Sequence, residues 1–432
     1  MSTTFFGLPF MLAEILATGN EVLTGTIVDS NSAFIARMLE EAGIEVNRHT
    51  CVGDDITDIS VALKELTARA DIVLITGGLG PTGDDLTTEA VARAAGVGLQ
   101  TDKSAYASLE RFFNERGVTM RETDPKQALL PEKAVCIPNR VGSAPGFYLD
   151  MGSCRVYVMP GVPFEMEIML IESVMPDIET RRVDGPAYAA AKTVSVFGLP
   201  ESEVGRLMNG LSQTFPNIRY GIRVSFPEIF IKLSIRHTDK TTARSLVDKA
   251  ADWTKQSFGD CAFSLQGLSL PAEVGRLLTE KKETVAVAES CTGGLVGDLL
   301  TNNPGSSDYF LLSAVIYANT AKTAVLNVSE KTITEQGAVS ENVVRAMAAN
   351  ACRLAGSTYG LAISGIAGPE GGTPEKPVGT VWIGLASPSG VAARKLILSF
   401  QSRIMNKRIF AFAALELLRR QIISKPKETN RG

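Results

Sequence analysis

The sequence predicts an α/β protein of three domains, on three observations. Over about residues 11–180, short apolar runs of strand length alternate with amphipathic runs of helix length, which is the pattern of a mostly parallel sheet covered by helices. Over about 190–266 the order becomes β-α-β-β-α-β, the split pattern of small two-layer domains. At 432 residues the chain is also longer than one hydrophobic core ordinarily serves. The third domain, 270–424, returns to strand–helix alternation.

In the first domain "AEILATG" reads as a strand beginning near Leu12. The ten residues before it lack the positive stretch and small-residue cleavage site of a secretory leader, so they read as an extension, with Met11 as an alternative start. "SAFIARMLEEAG" and "DITDISVALKELTARA" read as helices, "DIVLITGG" as a buried strand and Thr87–Ala95 as a helix. "AVCIPN" and "CRVYVMPG" are strands, and the helix "VPFEMEIMLIESVMPDI" closes the domain. "ETRRVDGPAYAAA" is a linker. Beyond it lie a strand at 192–197, a helix at 201–211, strands at 217–225 and 228–237, a helix at 240–258 and a strand at 260–265. After the connector "LQGLSLP" come the helix "AEVGRLLTEKKE", the strands "TVAVAES" and "YFLLSAVIYAN", and a helix over 341–355. The strands "YGLAISG", "GTVWIGLAS" and "AARKLILSF" and a last helix at about 404–422 complete the domain, and the tail "SKPKETNRG" reads as frayed.

Composition narrows the function. Apolar residues make up 45% and charged residues 21%, as in a soluble globular protein, and no apolar run is long enough to span a membrane. A net charge of −4 gives no basic footprint for nucleic acid or anionic lipid. The middle domain lacks both a GxxG loop and a basic stripe with aromatics, so RNA is not an expected partner. Six scattered cysteines without a CxxC imply a reducing, cytoplasmic setting and no disulfide framework. With only two histidines, any metal should be a hard cation held by carboxylates.

The third domain carries "AESCTGG" at the turn from a strand into a helix, where free N–H groups and the positive end of the helix dipole suit an oxyanion or a phosphate. Ser290 and Cys291 are both nucleophile candidates, and Ser290 or Thr292 could equally be a helix N-cap. A second glycine-rich turn, "SGIAGPEGG", brings Ser364, Gly365 and Gly368 to the end of another apolar strand. The domain has no histidine, so a hydrolytic base would be Lys, Tyr or a carboxylate. "YANTAK" supplies Tyr317 and Lys322. These could form a Ser–Lys pair with a tyrosine relay, or simply be a surface lysine and a half-buried tyrosine. In the first domain "TGGLGPTGDDLTTEA" sets Gly77, Gly78 and Gly80 after a buried strand, with Asp84 and Asp85 before a helix. Such a loop can wrap phosphate and hold a divalent ion, or be a turn with an aspartate cap.

Taken together, "AESCTGG", "YANTAK", "GAVSE", "SGIAGPEGG" and "KPVGTVWIG" resemble the competence/damage-inducible CinA family, whose C-terminal domain is a nicotinamide-nucleotide amidohydrolase. The resemblance implies hydrolysis of nicotinamide mononucleotide to nicotinate mononucleotide and ammonia without a cofactor. It makes Ser290 the nucleophile, Tyr317 and Lys322 its activating partners, and Cys291 a small neighbour. The backbone around Thr292, Gly293 and Gly294 becomes the oxyanion hole. Arg403 falls where the family carries "GDR", and the run here is "QSR". "GNEVLTGTIVDSN", "PNRVGSAPGF" and "MPGVPFEM" resemble the family's N-terminal domain, related to molybdopterin-binding proteins. That implies a pyrophosphatase cleaving ADP-ribose to AMP and ribose 5-phosphate with a divalent metal, magnesium or a transition metal. Its polar groups would be Glu21, Asp29, Asn31, Asp84 and Asp85, and Asn20 stands where the family often has Thr or Asp. The middle region, KH-like in the family, reads as a spacer and a dimerisation or docking module, with a homodimer expected. Rival readings are a molybdopterin-binding module with a silent partner domain, or an interaction protein of DNA uptake or repair.

Overall fold

The structure is a computed structural model describing residues 11–182, 188–400 and 402–424. The N-terminal extension, the centre of the linker and the tail beyond Ser424 lie outside the described residues. The chain folds as two compact units: one comprises residues up to Ala190 with Ile235–Ser245, the other Ala191–Ser234 with everything from Leu246.

The first unit holds β1 (Leu12–Thr18), β2 (Glu45–Val52), β3 (Ile72–Thr76), β4 (Leu99–Thr101), β5 (Leu129–Pro131), β6 (Val135–Ile137), β7 (Gly146–Met151) and β8 (Cys154–Met159). Six of these form one sheet in the order β2-β1-β3-β8-β7-β6, and β4 pairs with β5 apart from it. β1 runs parallel to β2 and β3, and β3 parallel to β8, while β6 and β7 are antiparallel additions. The inner strands are buried on both faces, which is why they read as continuous apolar runs. β1 nevertheless carries Glu14, fully buried, which accepts from Arg69 Nε (2.6 Å), Arg69 Nη2 (2.8 Å) and Asn47 Nδ2 (3.0 Å). A bidentate guanidinium is what lets a carboxylate sit in such a strand.

The second unit begins with β9 (Tyr188–Phe197), which starts within the first, then β10 (Arg219–Ser225), β11 (Glu228–His237), whose last residues belong to the first, and β12 (Ala262–Ser264), in the sheet order β10-β11-β9-β12. The helices Glu201–Thr214 and Lys240–Phe258 follow the expected order of elements. A third sheet contains β13 (Val285–Glu289), β14 (Phe310–Val315), β15 (Tyr359–Gly365), β16 (Thr380–Ser387) and β17 (Gly390–Ile397), ordered β14-β13-β15-β16-β17. Only β14, β13 and β15 are parallel, and β16 and β17 are antiparallel. The helix Arg403–Ile423 packs its apolar residues onto this sheet. No helix among the described residues is long and apolar enough to cross a membrane.

In the third sheet the helix Glu341–Ala355 presses so close to β15 that a Cβ built on Gly360 would lie 2.1 Å from the Ala348 carbonyl oxygen. The obstacle is backbone and cannot rotate away. Gly360→Ala should therefore cost about 1–3 kcal/mol by overpacking. Denaturant unfolding measures this, and an unchanged midpoint would mean that helix and sheet separate at no cost.

Candidate active sites

In the parallel part of the first and third sheets, one strand lies between two strands that follow it in the chain, β1 between β2 and β3 and β13 between β14 and β15, so the connections diverge there and leave a crevice beyond the strand's carboxyl end. In the third sheet that strand is β13, and Ser290 is the next residue. Ser290 is 9% exposed, and its N–H donates to Ile363 O at 3.0 Å, which extends the β15 ladder.

Lys322 lies in the first turn of the helix Asn319–Leu326, only 1% exposed. Its Nζ is 3.1 Å from Ser290 Oγ, 3.0 Å from Ile316 O and 3.1 Å from Tyr317 O. An ammonium donates to all three. A neutral amine has two N–H bonds and one lone pair, and the two carbonyls can only accept. They take both N–H bonds, and the lone pair is left for the Ser290 hydroxyl, which then donates. Burial pushes the Lys322 pKa below its ordinary value, opposed by the neighbouring Cys291 thiol. Position and electrostatics therefore both favour a proton acceptor beside a hydroxyl.

Geometry sets Ser290 and Cys291 apart. Lys322 Nζ meets Ser290 Oγ at 3.1 Å, and among the described residues it makes no hydrogen bond to Cys291 Sγ. Cys291 is 5% exposed, and burial pushes its thiol up to about 12, so it does not offer a ready thiolate beside the lysine.

The helix Leu295–Thr301 departs from expectation. Its N-terminus is filled by the fully buried carboxylate of Glu289. Oε2 accepts from the N–H of Gly294 (3.0 Å) and Val296 (3.1 Å), and Oε1 from Gly297 N–H (2.9 Å) and Ser313 Oγ (3.3 Å). Neither Ser290 nor Thr292 caps this helix, and its end is not open to a phosphate or oxyanion, because the chain's own anion already neutralises it. The oxyanion assignment changes accordingly. Gly294 N–H is held by Glu289, and Gly293 N–H donates to Ser290 O at 3.1 Å. The N–H groups of Cys291 and Thr292, directly after Ser290, have no acceptor among the described residues. Thr292 is fully buried, and its hydroxyl likewise has no partner. Glu289 escaped the sequence reading, although an acid ending the run "VAVAE" was the available signal.

Tyr317 is 60% exposed, and its hydroxyl accepts from Arg403 Nη2 at 2.9 Å. It contacts neither Lys322 nor Ser290, so the expected hydroxyl relay is absent from this geometry, and Tyr317 reaches Lys322 through its carbonyl. Arg403 Nη1 donates to Gly368 O at 2.5 Å, linking the second glycine turn to Tyr317. Ser364 is buried and donates to Ala338 O at 2.8 Å, and Gly365 ends β15. Two further residues were missed. Buried Asn406 binds Ala367 O, Phe400 O and Phe400 N–H, holding the turn under Arg403. Lys407 Nζ would lie 3.6 Å from a Cβ on Gly293, which puts a second cation beside the nucleophile's turn.

In the first unit the crevice lies beyond β1 and β3, as a cleft of about 590 Å³. Glu21, Asp29, Asn31, Gly77, Gly78, Gly80, Asp84 and Asp85 all line it. Gly77, at φ +112°, has no room for a side chain, since a Cβ would meet Thr18 O at 2.3 Å. Asp29 caps the helix Ser30–Glu41 through Ser32 N–H (2.9 Å). Asp84 and Asp85 both accept from the single hydroxyl of Thr82, and Asp85 also accepts from Thr82 N–H at 2.9 Å. Neither caps the helix Thr87–Ala95, whose N-terminus has no side-chain cap. Two carboxylates crowd around one hydrogen, an arrangement a cation relieves. No group of three or more His, Cys, Asp or Glu able to hold a metal occurs among the described residues. Two carboxylates suit a hard cation that completes its shell with water and substrate phosphate.

Fold and sites together define a two-unit α/β protein with a carboxylate-lined glycine cleft in one unit and a Ser–Lys pair in the other. Residues 14–180 match the family described as "Probable molybdopterin binding domain", and 268–422 match "CinA C-terminal domain". The chain is 61% identical over 413 residues to a CinA-like protein of Desulfosudis oleivorans, covering 96% of this chain and 100% of the relative. It is 40% identical over 414 residues to a CinA-like protein of Geobacter sulfurreducens, covering 96% and 100%. A solved structure of CinA from Thermoplasma acidophilum, described as of unknown function, is 35% identical over 39% of this chain and 98% of that one, at a TM-score of 0.37. The chain belongs to the CinA family.

The position of the Tyr317 hydroxyl yields a kinetic prediction for any amide hydrolysed at Ser290. Tyr317→Phe releases Arg403 but leaves the carbonyl on Lys322, so KM should rise while kcat stays within about tenfold, well short of the ~10²–10⁴ lost with an acid–base group. A collapse of kcat at unchanged KM would restore the hydroxyl as a relay.

Proposed function

We propose that the second unit hydrolyses the carboxamide of nicotinamide mononucleotide, and that the first hydrolyses the pyrophosphate of ADP-ribose. The observation that carries the first assignment is Lys322 Nζ, held by two carbonyls and left facing Ser290 Oγ. Lys322 takes the hydroxyl proton as Ser290 Oγ bonds to the amide carbon. The developing oxyanion is received by the N–H groups of Cys291 and Thr292. The lysine proton passes to the leaving nitrogen, the C–N bond breaks, and ammonia departs. Water then cleaves the Ser290 ester by the same proton path and releases nicotinate mononucleotide. Arg403 and Lys407 are the cations available to the substrate's phosphate.

For the first unit, support comes from the glycine loop and the paired carboxylates Asp84 and Asp85. A divalent cation held there with the substrate would neutralise pyrophosphate charge. Glu21, Asp29 and Asn31 line the same cleft and would face the rest of the substrate.

Purified protein assayed for ammonia tests the amidase reading. Ser290→Ala and Lys322→Met should abolish release, and Lys322→Arg should not rescue it, since a guanidinium stays protonated. Cys291→Ser should retain most activity. An active Ser290→Ala with a dead Cys291→Ser would reverse the assignment. The amine form is the active one, so kcat/KM should rise with pH through the lowered Lys322 pKa and level off before the ordinary lysine value of about 10.4. A rate independent of pH across that range argues against a lysine base. Replacing both Asp84 and Asp85 by Asn should abolish AMP formation from ADP-ribose and leave ammonia release unchanged.

A further inference from the structure

The turn between β10 and β11 is two residues long, Phe226 and Pro227, since Ser225 pairs with Glu228. The tip of such a hairpin ordinarily faces water. This one is held by the rest of the second unit. The Phe226 ring meets the Phe400 ring edge-on, with centroids 5.0 Å apart and planes at 77°. The Phe226 carbonyl accepts from Arg408 Nε at 2.6 Å. Two residues on, Glu228 is 3% exposed and accepts at 2.6 Å from the N–H of Leu270, the first residue of the helix Leu270–Lys281. The helix Arg403–Ile423 meets the middle sheet again further along, where Phe412 packs with Phe197 of β9 and Arg419 Nη2 donates to Asp260 O at 3.0 Å.

The consequence lies in what the tip touches. Phe400 stands three residues before Arg403, where the chain has left β17 and turns into that helix. Its N–H donates to Asn406 Oδ1 at 2.6 Å, and its carbonyl accepts from Asn406 Nδ2 at 3.1 Å. The same Nδ2 donates to Ala367 O at 3.0 Å, and the next residue, Gly368, takes Arg403 Nη1 on its carbonyl. Asn406 thus secures the main chain of Phe400 and the glycine turn together. The Phe400 ring, 38% exposed, is secured by Phe226.

Building on the amidase reading, in which Arg403 is a cation for the substrate's phosphate, we infer that Phe226 is a positioning residue for Arg403. The hairpin tip clamps Phe400, and Phe400 fixes the start of the helix from which Arg403 reaches Gly368 and Tyr317. Substrate affinity in the second unit then depends on a residue outside 268–422, the stretch matched by the C-terminal family. The Ser290–Lys322 pair, built on β13 and the helix Asn319–Leu326, does not depend on it.

Initial rates of ammonia release from nicotinamide mononucleotide by the full chain test this. Phe226→Ala should raise KM about three- to tenfold, the scale of an aromatic pair, with kcat unchanged. Phe400→Ala should do the same, and the double variant should add little to either, because both remove one contact. Phe226→Leu keeps apolar bulk at the tip and should recover part of the affinity, which guards against a folding defect in the alanine variant. Hydrogen exchange at the Phe400 amide needs no substrate. It should speed up in Phe226→Ala while exchange in β13 stays as in the wild type. The inference is overturned if Phe226→Ala leaves KM or Phe400 exchange unchanged, or if the effects of the two alanine variants multiply. A protein that releases no ammonia sinks the amidase reading alone, and faster exchange at Phe400 would still uphold the clamp.

Discussion

A lysine amine enclosed in protein needs partners for its N–H bonds, and the identity of those partners decides what its lone pair can do. Two main-chain carbonyls at Lys322 Nζ consume hydrogens and offer none. A carboxylate in their place would have held the ammonium and raised its pKa, and the group would then be a salt bridge instead of a base. The whole strand–turn–helix arrangement of the second unit serves this demand. β13 ends just before Ser290, and the chain after β14 curls so that Ile316 and Tyr317 turn their carbonyls inward. The short helix from Asn319 then returns Lys322 to the same point.

The second constraint is that the site must keep its negative charge away from the lysine. The nearest acid in sequence to the nucleophile is Glu289, and it is also the most thoroughly satisfied, with three backbone N–H groups and a hydroxyl on its two oxygens. Its charge is neutralised by a helix end, so it has little need of a cation. The same bonds hold Gly294 and the start of the following helix in place. That leaves the free N–H groups of Cys291 and Thr292 between a fixed strand end and a fixed turn. Donors held this way are preorganised because neighbouring groups are already spoken for.

Much of the fold was legible because buried parallel strands are apolar without interruption. β3 and β13 stand out for that reason, and the helix Glu341–Ala355 was bounded in advance by its period. The parts that escaped have physical reasons. β2, "EVNRHTCV", is an edge strand with half its residues exposed and no apolar alternation to betray it. The three-residue pair of β4 and β5 is too short for a period. At the site, Ser290 and Lys322 were nameable as candidates from type and order. Their pairing was expected only through the family resemblance, because 31 residues and a full strand separate them, and only parallel pairing of β13 with β14 brings them together. The side chain of Tyr317 lies away from its expected place beside Lys322 for a related cause. Sequence places a residue near a site, but whether the hydroxyl or the carbonyl faces inward depends on the backbone turn that follows the strand.

The two units answer the problem of handling charged substrates in opposite ways. In the second, the one buried acid next to the nucleophile is sequestered, and the cations Arg403 and Lys407 sit toward the glycine turns. In the first, Glu21, Asp29, Asp84 and Asp85 line one cleft, and Lys126 beside the loop is engaged by the carbonyls of Thr82 and Asp85 and by Glu89 at 3.6 Å. Such a cleft repels a bare pyrophosphate until a cation of higher charge enters with it. The same fold principle, a crevice where the strand order reverses, thus carries a buried Ser–Lys pair in one unit and a carboxylate-lined glycine cleft in the other. What differs is only which side chains the strand ends carry.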